Sequence, residues 1–196
     1  EKLKTANRIC VPEKAIQSRV QAGALHCDLV AYGKEPDGPV AAAIGWYAPI
    51  GSESAPIILF FDSIGWHKLA ERSIEFFLRR QREDGFIQNF AGYQLETGYV
   101  LWLIGEHFRY TKDLDWLKRI ERNIKIGAQY LIEWRRRNMK PELKGKGYGL
   151  VDGKVGDPDD FFHSFMLNAT SILGVKRVAE VMKYLNEKEA EEIEAE

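Results

Sequence analysis

The chain alternates between segments that are apolar on almost every side and segments that have a single apolar face. The apolar segments cover residues 54–64, 95–110 and 160–173, and the amphipathic segments that follow them cover residues 66–83, 114–138 and 175–196. A helix that is apolar all round is buried, whereas a helix with one apolar stripe packs that stripe on a core. The alternation therefore predicts an all-α fold, a toroid of helical hairpins with an apolar inner ring and an amphipathic outer ring. One further helix is predicted ahead of these, over residues 12–31.

The connections between the predicted helices alternate in length. Turns from an inner to an outer helix are short, at residue 65, residues 111–113 and residue 174, and loops leading to an inner helix are long, at residues 32–53, 84–94 and 139–159. A ring of hairpins places all of its long loops on one rim, and long loops on a rigid scaffold commonly carry function. The joint from Gln81 to Phe86, with its Asp84-Gly85 turn, leads into the second long loop and marks that rim.

Two of the short turns share a sequence pattern. Residues 65–71 match residues 174–180 in their glycine, basic, apolar, alanine and glutamate positions. Because both stretches lie at the same predicted junction, a repeated helical hairpin is favoured over shared helix-start chemistry.

Composition and charge exclude several classes of protein. Hydrophobic residues make up 45% of the chain and charged residues 29%, as in ordinary globular domains. A net charge of −1 argues against a nucleic-acid binder, and the absence of a run of about 18 apolar residues argues against a membrane span. Cys10 and Cys27 do not have the spacing of a zinc site. We expect no metal and no cofactor, and with no secretion leader visible a cytoplasmic location is preferred.

Both ends of the chain suggest a longer protein. The sequence opens on Glu1, and the charged helix predicted over residues 175–196 reaches the last residue without a glycine or asparagine stop signal. We therefore expect residues 1–196 to be a fragment.

The order of the motifs resembles that of the six-hairpin glycosidases, whose domain is an (α/α)6 barrel. The stretches that carry the resemblance are residues 8–13, Trp46-Tyr47-Ala48-Pro49, Asp62-Ser63-Ile64-Gly65 with Ala70, residues 77–81 with Asp84-Gly85-Phe86, Tyr110-Thr111-Lys112-Asp113 with Trp116-Leu117, and Gly147-Tyr148-Gly149-Leu150 with Gly156-Asp157. The resemblance covers about residues 8–196 and implies some three hairpins, the N-terminal half of such a barrel, with the C-terminal half absent. At residues 51–54 the chain departs from the family, because many members carry an Arg-Asp pair there.

The resemblance implies a glycoside hydrolase that acts on an oligo- or polysaccharide. Glycoside hydrolysis uses a general acid beside the leaving oxygen and a second carboxylate on the other face of the sugar. Asp157, Asp160 and Glu96 are the candidate catalytic residues because each lies on the predicted rim at the start of an inner helix. The second carboxylate of the pair would lie in the absent half. Acids at a helix start also cap the helix and complement its dipole, so a structural role is the alternative for each.

Aromatic and polar residues of the long loops are the candidate substrate contacts. Aromatic side chains offer flat faces to the C–H faces of sugar rings, and polar side chains hydrogen-bond the hydroxyls. The candidates are Trp46, Tyr47, Glu53, Asn89, Phe90, Tyr93, Tyr148, Asp159 and His163. His163 is expected one turn into the third inner helix, where a buried, satisfied histidine is the alternative. The remaining histidines, together with Trp102 and Trp134, are expected to serve packing or to lie on the surface.

Two further functions remain open at this point. A terpene cyclase or prenyltransferase toroid also uses joints like that of residues 81–86, and Asp157-Pro158-Asp159-Asp160 matches an Asp-x-Asp-Asp pattern that protonates an isoprenoid. A non-catalytic carbohydrate-binding helical protein is the other alternative. A polar groove with acids and aromatics on the long-loop rim would favour the hydrolase, whereas a dry aromatic cavity would favour the cyclase.

Overall fold

The computed structural model describes residues 4–7, 9–33, 38–43, 48–156 and 161–196. In chain order the elements are α1 (Lys14–Leu29), β1 (Ala31–Gly33), β2 (Val40–Ala42), α2 (Gly51–Ser63), α3 (His67–Leu78), α4 (Glu96–Thr111), α5 (Leu114–Arg119), α6 (Glu121–Arg137), a 3-10 helix (Pro141–Leu143), α7 (Phe165–Met182) and α8 (Glu187–Glu194). The predicted all-α class is confirmed, since 61% of the described residues are helical and these residues form one sheet of two strands.

The helices pack around α4. This helix contacts α2 and α7, while α3 packs against α2 and α4, and α6 packs against α4 and α7. Leu101 and Ile104 of α4 are fully buried, and so are Ile58 and Phe61 of α2. Burial on nearly every side explains why α2 and α4 are apolar all round. For these two helices the predicted burial is confirmed.

The predicted third hairpin is wrong. α7 runs without a break from Phe165 to Met182, through the turn expected at Gly174, and only α8 follows it. Gly174 is glycine because α7 crosses α4 there: a Cβ atom on Gly174 would lie 2.7 Å from the carbonyl oxygen of Gly98. Likewise, a Cβ atom on Gly98 would lie 2.8 Å from the carbonyl oxygen of Thr170. The two glycines let the helix backbones touch.

The proposed sequence repeat fails for the same reason. Gly65 has φ +86° and forms the turn between α2 and α3, a conformation that glycine adopts readily. Gly174 instead lies inside a helix. Residues 65–71 and 174–180 therefore occupy different structural positions.

Two further boundaries differ from the sequence prediction. The segment 32–53, expected as a loop, contains β2 and the start of α2, and β1 pairs antiparallel with β2 in the register Ala31↔Ala42. The single helix expected over residues 114–138 is divided at Ile120 into α5 and α6. Asp113 begins α5 as a cap, because its Oδ1 accepts the backbone N–H of Trp116 at 2.9 Å.

Candidate functional site

The joint at residues 81–86 fastens the second long loop to α6. Nε2 of Gln81 donates to the carbonyl oxygens of Gly85 at 3.1 Å and Asn123 at 3.0 Å, and Asn123 Nδ2 donates back to Gln81 Oε1 at 2.6 Å. Gly85 has φ +95°, and a Cβ atom there would lie 2.0 Å from the carbonyl oxygen of Ile126. The joint is therefore a structural anchor for the loop that follows it.

The second long loop contacts the described parts of both other long connections. Asn89 Nδ2 donates to the carbonyl oxygen of Pro49 at 2.6 Å, just before α2. The backbone N–H of Gln94 donates to the carbonyl oxygen of Lys154 at 3.0 Å, and Lys154 N–H donates to Gln94 Oε1 at 2.6 Å. Three long connections that are distant in sequence thus meet at one place. The described parts of the long connections therefore lie together, and the ring whose rim they would form stays a prediction.

Glu96 lies at the centre of this meeting point, in the first turn of α4. Its side chain is fully buried, and its Oε1 accepts the backbone N–H of Phe90 at 3.1 Å. The backbone N–H groups of Asn89 and Gly51 also favour the charged carboxylate, but burial outweighs them and raises the pKa of Glu96 to about 7. Oε2 is buried and has no hydrogen-bond partner among the described residues. The carboxyl group therefore changes protonation state near neutral pH.

Gly51 makes the approach of α2 to Glu96 possible. A Cβ atom on Gly51 would lie 2.9 Å from Cγ of Glu96. The N-terminus of α2 consequently sits directly against the glutamate side chain, and any larger residue at position 51 would push the two apart.

An aromatic pair and a cation lie on the same loop junction. The rings of Phe90 and Tyr93 have centroids 5.0 Å apart, and Nζ of Lys154 lies 5.2 Å from the centroid of the Tyr93 ring. Phe90 and Tyr93 are half-buried, so part of each ring faces solvent. Asn89, Phe90, Tyr93 and Glu96 are therefore brought together as predicted.

The other described candidates lie in the first turn of α2, in the loop after α6 and just before α7. Glu53 is half-buried in the first turn of α2, and Tyr148 is exposed in the loop after α6. His163 does not lie one turn into a helix: it precedes α7, and its ring packs against Gly147, where a Cβ atom would be 2.4 Å away. Its Nδ1 lies 3.4 Å from the carbonyl oxygen of Val151.

The cap of α7 is Ser164, whose Oγ accepts the N–H of Leu167 at 3.0 Å. The capping role that the sequence offered to the preceding acidic run is therefore filled by another residue. The candidates Asp157, Asp159 and Asp160, and the aromatic candidates Trp46 and Tyr47, lie outside the described residues.

A buried carboxylate with two histidine partners was not predicted from the sequence. Asp62 is buried at the end of α2, and its Oδ1 lies 2.9 Å from Nδ1 of His67 and 2.9 Å from Nδ1 of His107. His107 is buried and stacks edge-on against Trp116, with ring centroids 4.7 Å apart, whereas His67 is half-exposed. A lone Asp in an otherwise apolar helix was the available signal, because a buried carboxylate requires partners.

A separate groove lies away from this junction. It has a volume of about 580 Å³ and lies between α6, α7 and α8, with Leu131, Ile172 and Val175 in its lining. None of the described residues that line it is aromatic, and Glu96 is not among them.

No helix within the described ranges has the length and apolarity needed to cross a membrane. The same residues contain no cluster of three or more histidine, cysteine or acidic side chains arranged to hold a metal ion. Comparison with family models, curated proteins and solved structures finds no match to this chain.

Proposed function

We propose that the protein is a carbohydrate-active enzyme that hydrolyses a glycosidic bond at the junction of the three long loops. The observation that carries the proposal is the meeting of these loops around Glu96, beside the half-exposed Phe90 and Tyr93. Half-buried aromatic faces next to polar loop atoms are the surface that sugar rings require. In the same proposal α2, α4 and α7 belong to the inner ring of an incomplete (α/α)6 barrel.

Glu96 has two possible parts in this chemistry. A pKa of about 7 suits a general acid at neutral pH, because both protonation states are then populated. Its carboxyl group is nevertheless buried and engaged with backbone N–H groups, so it reaches a substrate only if residues 89–93 move. We therefore assign proton donation to Asp157 or Asp160 and give Glu96 the task of positioning the loops.

A non-catalytic carbohydrate-binding protein is the second candidate. The burial of Glu96 favours it, because the one described acid at the centre of the junction does not face solvent in this conformation. A terpene cyclase receives no comparable support, since the lining of the large groove lacks aromatic side chains among the described residues.

The test is to incubate the chain with a panel of oligosaccharides and to measure new reducing ends together with binding. We expect hydrolysis that falls by about 10²-fold or more in Asp157→Asn or Asp160→Asn, the range for loss of a general acid. Asp115→Asn is the matched control, because the Asp115 side chain is 91% exposed on α5, distant in sequence from all three loops. Thermal unfolding would verify that each variant is folded.

The outcomes separate the two candidates. Hydrolysis that survives both Asp157→Asn and Asp160→Asn would defeat the site assignment. Binding without hydrolysis, weakened by Tyr93→Ala, would support the binding protein instead. If no oligosaccharide is bound or cleaved, both candidates fail.

A further inference from the structure

The segment that joins α6 to the candidate site concentrates positive charge. Residues 135–154 contain seven basic and two acidic side chains, a net charge of +5 in a chain whose net charge is −1. The rest of the chain is therefore acidic, and positive charge is gathered on one part of the molecule. A surface with such an excess attracts ligands of the opposite sign.

Three lysines of this segment lack ionic partners. Lys140, Lys144 and Lys146 are exposed, and within the described ranges none of them forms an ion pair. The arginines that precede them differ, because Arg135 and Arg136 both pair with Glu196. The lysine charges are thus available to a ligand.

The backbone holds these side chains in a defined arrangement. Residues 144–149 alternate between a long side chain and a glycine, in the order Lys-Gly-Lys-Gly-Tyr-Gly, and all three glycines have φ between +70° and +119°. Residues other than glycine rarely adopt φ angles in that range. The N–H groups of Lys146 and Tyr148 both donate to the carbonyl oxygen of Leu143, and Asn138 Nδ2 donates to the carbonyl oxygen of Leu150 at 2.6 Å. The loop is an organised turn that exposes two lysines and a tyrosine.

The same loop is fixed to the candidate site at two points. Gly147 packs on the ring of His163, which leaves no space for a Cβ atom. Further along, Lys154 pairs with Gln94 and places its ammonium group beside the Tyr93 ring. One further lysine of the segment therefore lies beside the aromatic pair.

We propose that this cationic loop, residues 140–154, binds the carboxylates of an acidic oligosaccharide, with Tyr148 stacked on a sugar ring. The inference rests on the proposed function, because it takes the loop junction to be the saccharide site. A uronic acid polymer fits the surface, since its carboxylates repeat along the chain as the lysines repeat along the loop, and its C–H faces suit an exposed tyrosine. A nucleic acid fits less well, because single strands stack successive bases on several aromatic side chains and the loop has a single aromatic residue, Tyr148.

The test uses the 196-residue chain and tetragalacturonate, with maltotetraose as a neutral ligand of equal length and a tetranucleotide as an unrelated anion. Calorimetry at low and high salt gives the three dissociation constants. The loop variant Lys140→Gln/Lys144→Gln/Lys146→Gln is compared with Lys14→Gln/Lys118→Gln/Lys188→Gln, a matched control that removes three exposed lysines outside the loop. Both variants have the same net charge, so a general effect of charge cancels between them.

We expect tetragalacturonate to bind more tightly than maltotetraose, to lose affinity as salt is raised, and to bind the loop variant about tenfold more weakly than the control variant. Equal loss in the two variants, or equal affinity for the two saccharides, would overturn the proposal. Equally tight binding of the tetranucleotide would also overturn it, because the surface would then be unselective. If neutral saccharides are cleaved independently of the loop, only this inference fails, whereas a lack of affinity for every saccharide removes the proposed function as well.

Discussion

Replacing Glu96 by glutamine tests whether the carboxyl group is buried at the loop junction, because the substitution changes how the free energy of unfolding depends on pH. Burial raises the pKa of Glu96 to about 7 in the folded chain, above the ordinary value of 4.5. A raised carboxyl pKa means that the folded state binds the proton more tightly than the unfolded state, so its contribution to stability is fully present below pH 4.5 and is lost as pH rises through 7. Over the window from pH 5 to pH 8, this lowers the free energy of unfolding by about 2.5 kcal/mol.

Glutamine is the suitable replacement because it has the shape of a protonated glutamate and does not titrate. Urea unfolding followed by tryptophan fluorescence gives the free energy of unfolding of each protein at pH 5, 6, 7 and 8. The other carboxylates contribute equally to both proteins, so the difference between wild type and Glu96→Gln isolates this one group. We expect the two to be similar at pH 5 and the glutamine variant to be the more stable by about 2 to 3 kcal/mol at pH 8.

Glu142→Gln serves as the control, since Glu142 is an exposed glutamate in the 3-10 helix. Its difference from wild type should stay within about 0.5 kcal/mol over the whole pH range. A difference between Glu96→Gln and wild type that does not vary with pH would refute the reasoning, because the carboxyl group would then be as well solvated in the folded chain as in the unfolded one.

Two further pairs of substitutions test the packing. Gly174→Ala should lower the free energy of unfolding, measured in urea, by about 1 to 3 kcal/mol, because the new Cβ atom would meet the Gly98 backbone. Gly23→Ala in α1 is the control. A Cβ atom there meets nothing within 4 Å, so this substitution should raise the free energy of unfolding by up to about 1 kcal/mol. Asp62→Ala should lower the free energy of unfolding by about 1 to 3 kcal/mol, because buried His107 would lose its acceptor. His67→Ala should lower it less, because His67 is half-exposed. Equal losses in the two variants would contradict this account.

The positions of α2 and α4 could be predicted from the sequence because burial on all sides leaves a pattern that needs no knowledge of the neighbours. The Asp113 cap was equally visible, since capping depends on a few adjacent residues. The long loops were expected on one rim, and the hydrogen bonds from Asn89 to Pro49 and from Gln94 to Lys154 bring their described parts together. Properties that depend on local spacing were thus accessible without a structure.

The role of Gly174 could not be predicted, because a glycine between two apolar stretches fits a turn as well as a close helix crossing. The difference lies in what faces it, here the backbone of Gly98 from a helix some 75 residues earlier in the chain. The partners of Asp62 were hidden for the same reason, since His107 approaches it from another helix. Contacts between distant segments therefore decided the features that the sequence pattern left ambiguous.

Glu96 shows that an acid at the start of a helix has one of two roles. It is either an exposed charge that complements the helix dipole or a buried acceptor of hydrogen bonds from other segments. An acid that only complements a helix dipole remains in water, where its charge costs nothing. Glu96 is instead buried, and this burial lowers the free energy of unfolding near neutral pH. Its carboxyl group faces backbone N–H groups of two different segments. A hydrophobic residue would leave the N–H of Phe90 without its acceptor, so a buried carboxylate suits the point where separate loops require one common acceptor. Glu96 therefore marks the place where the loops are joined.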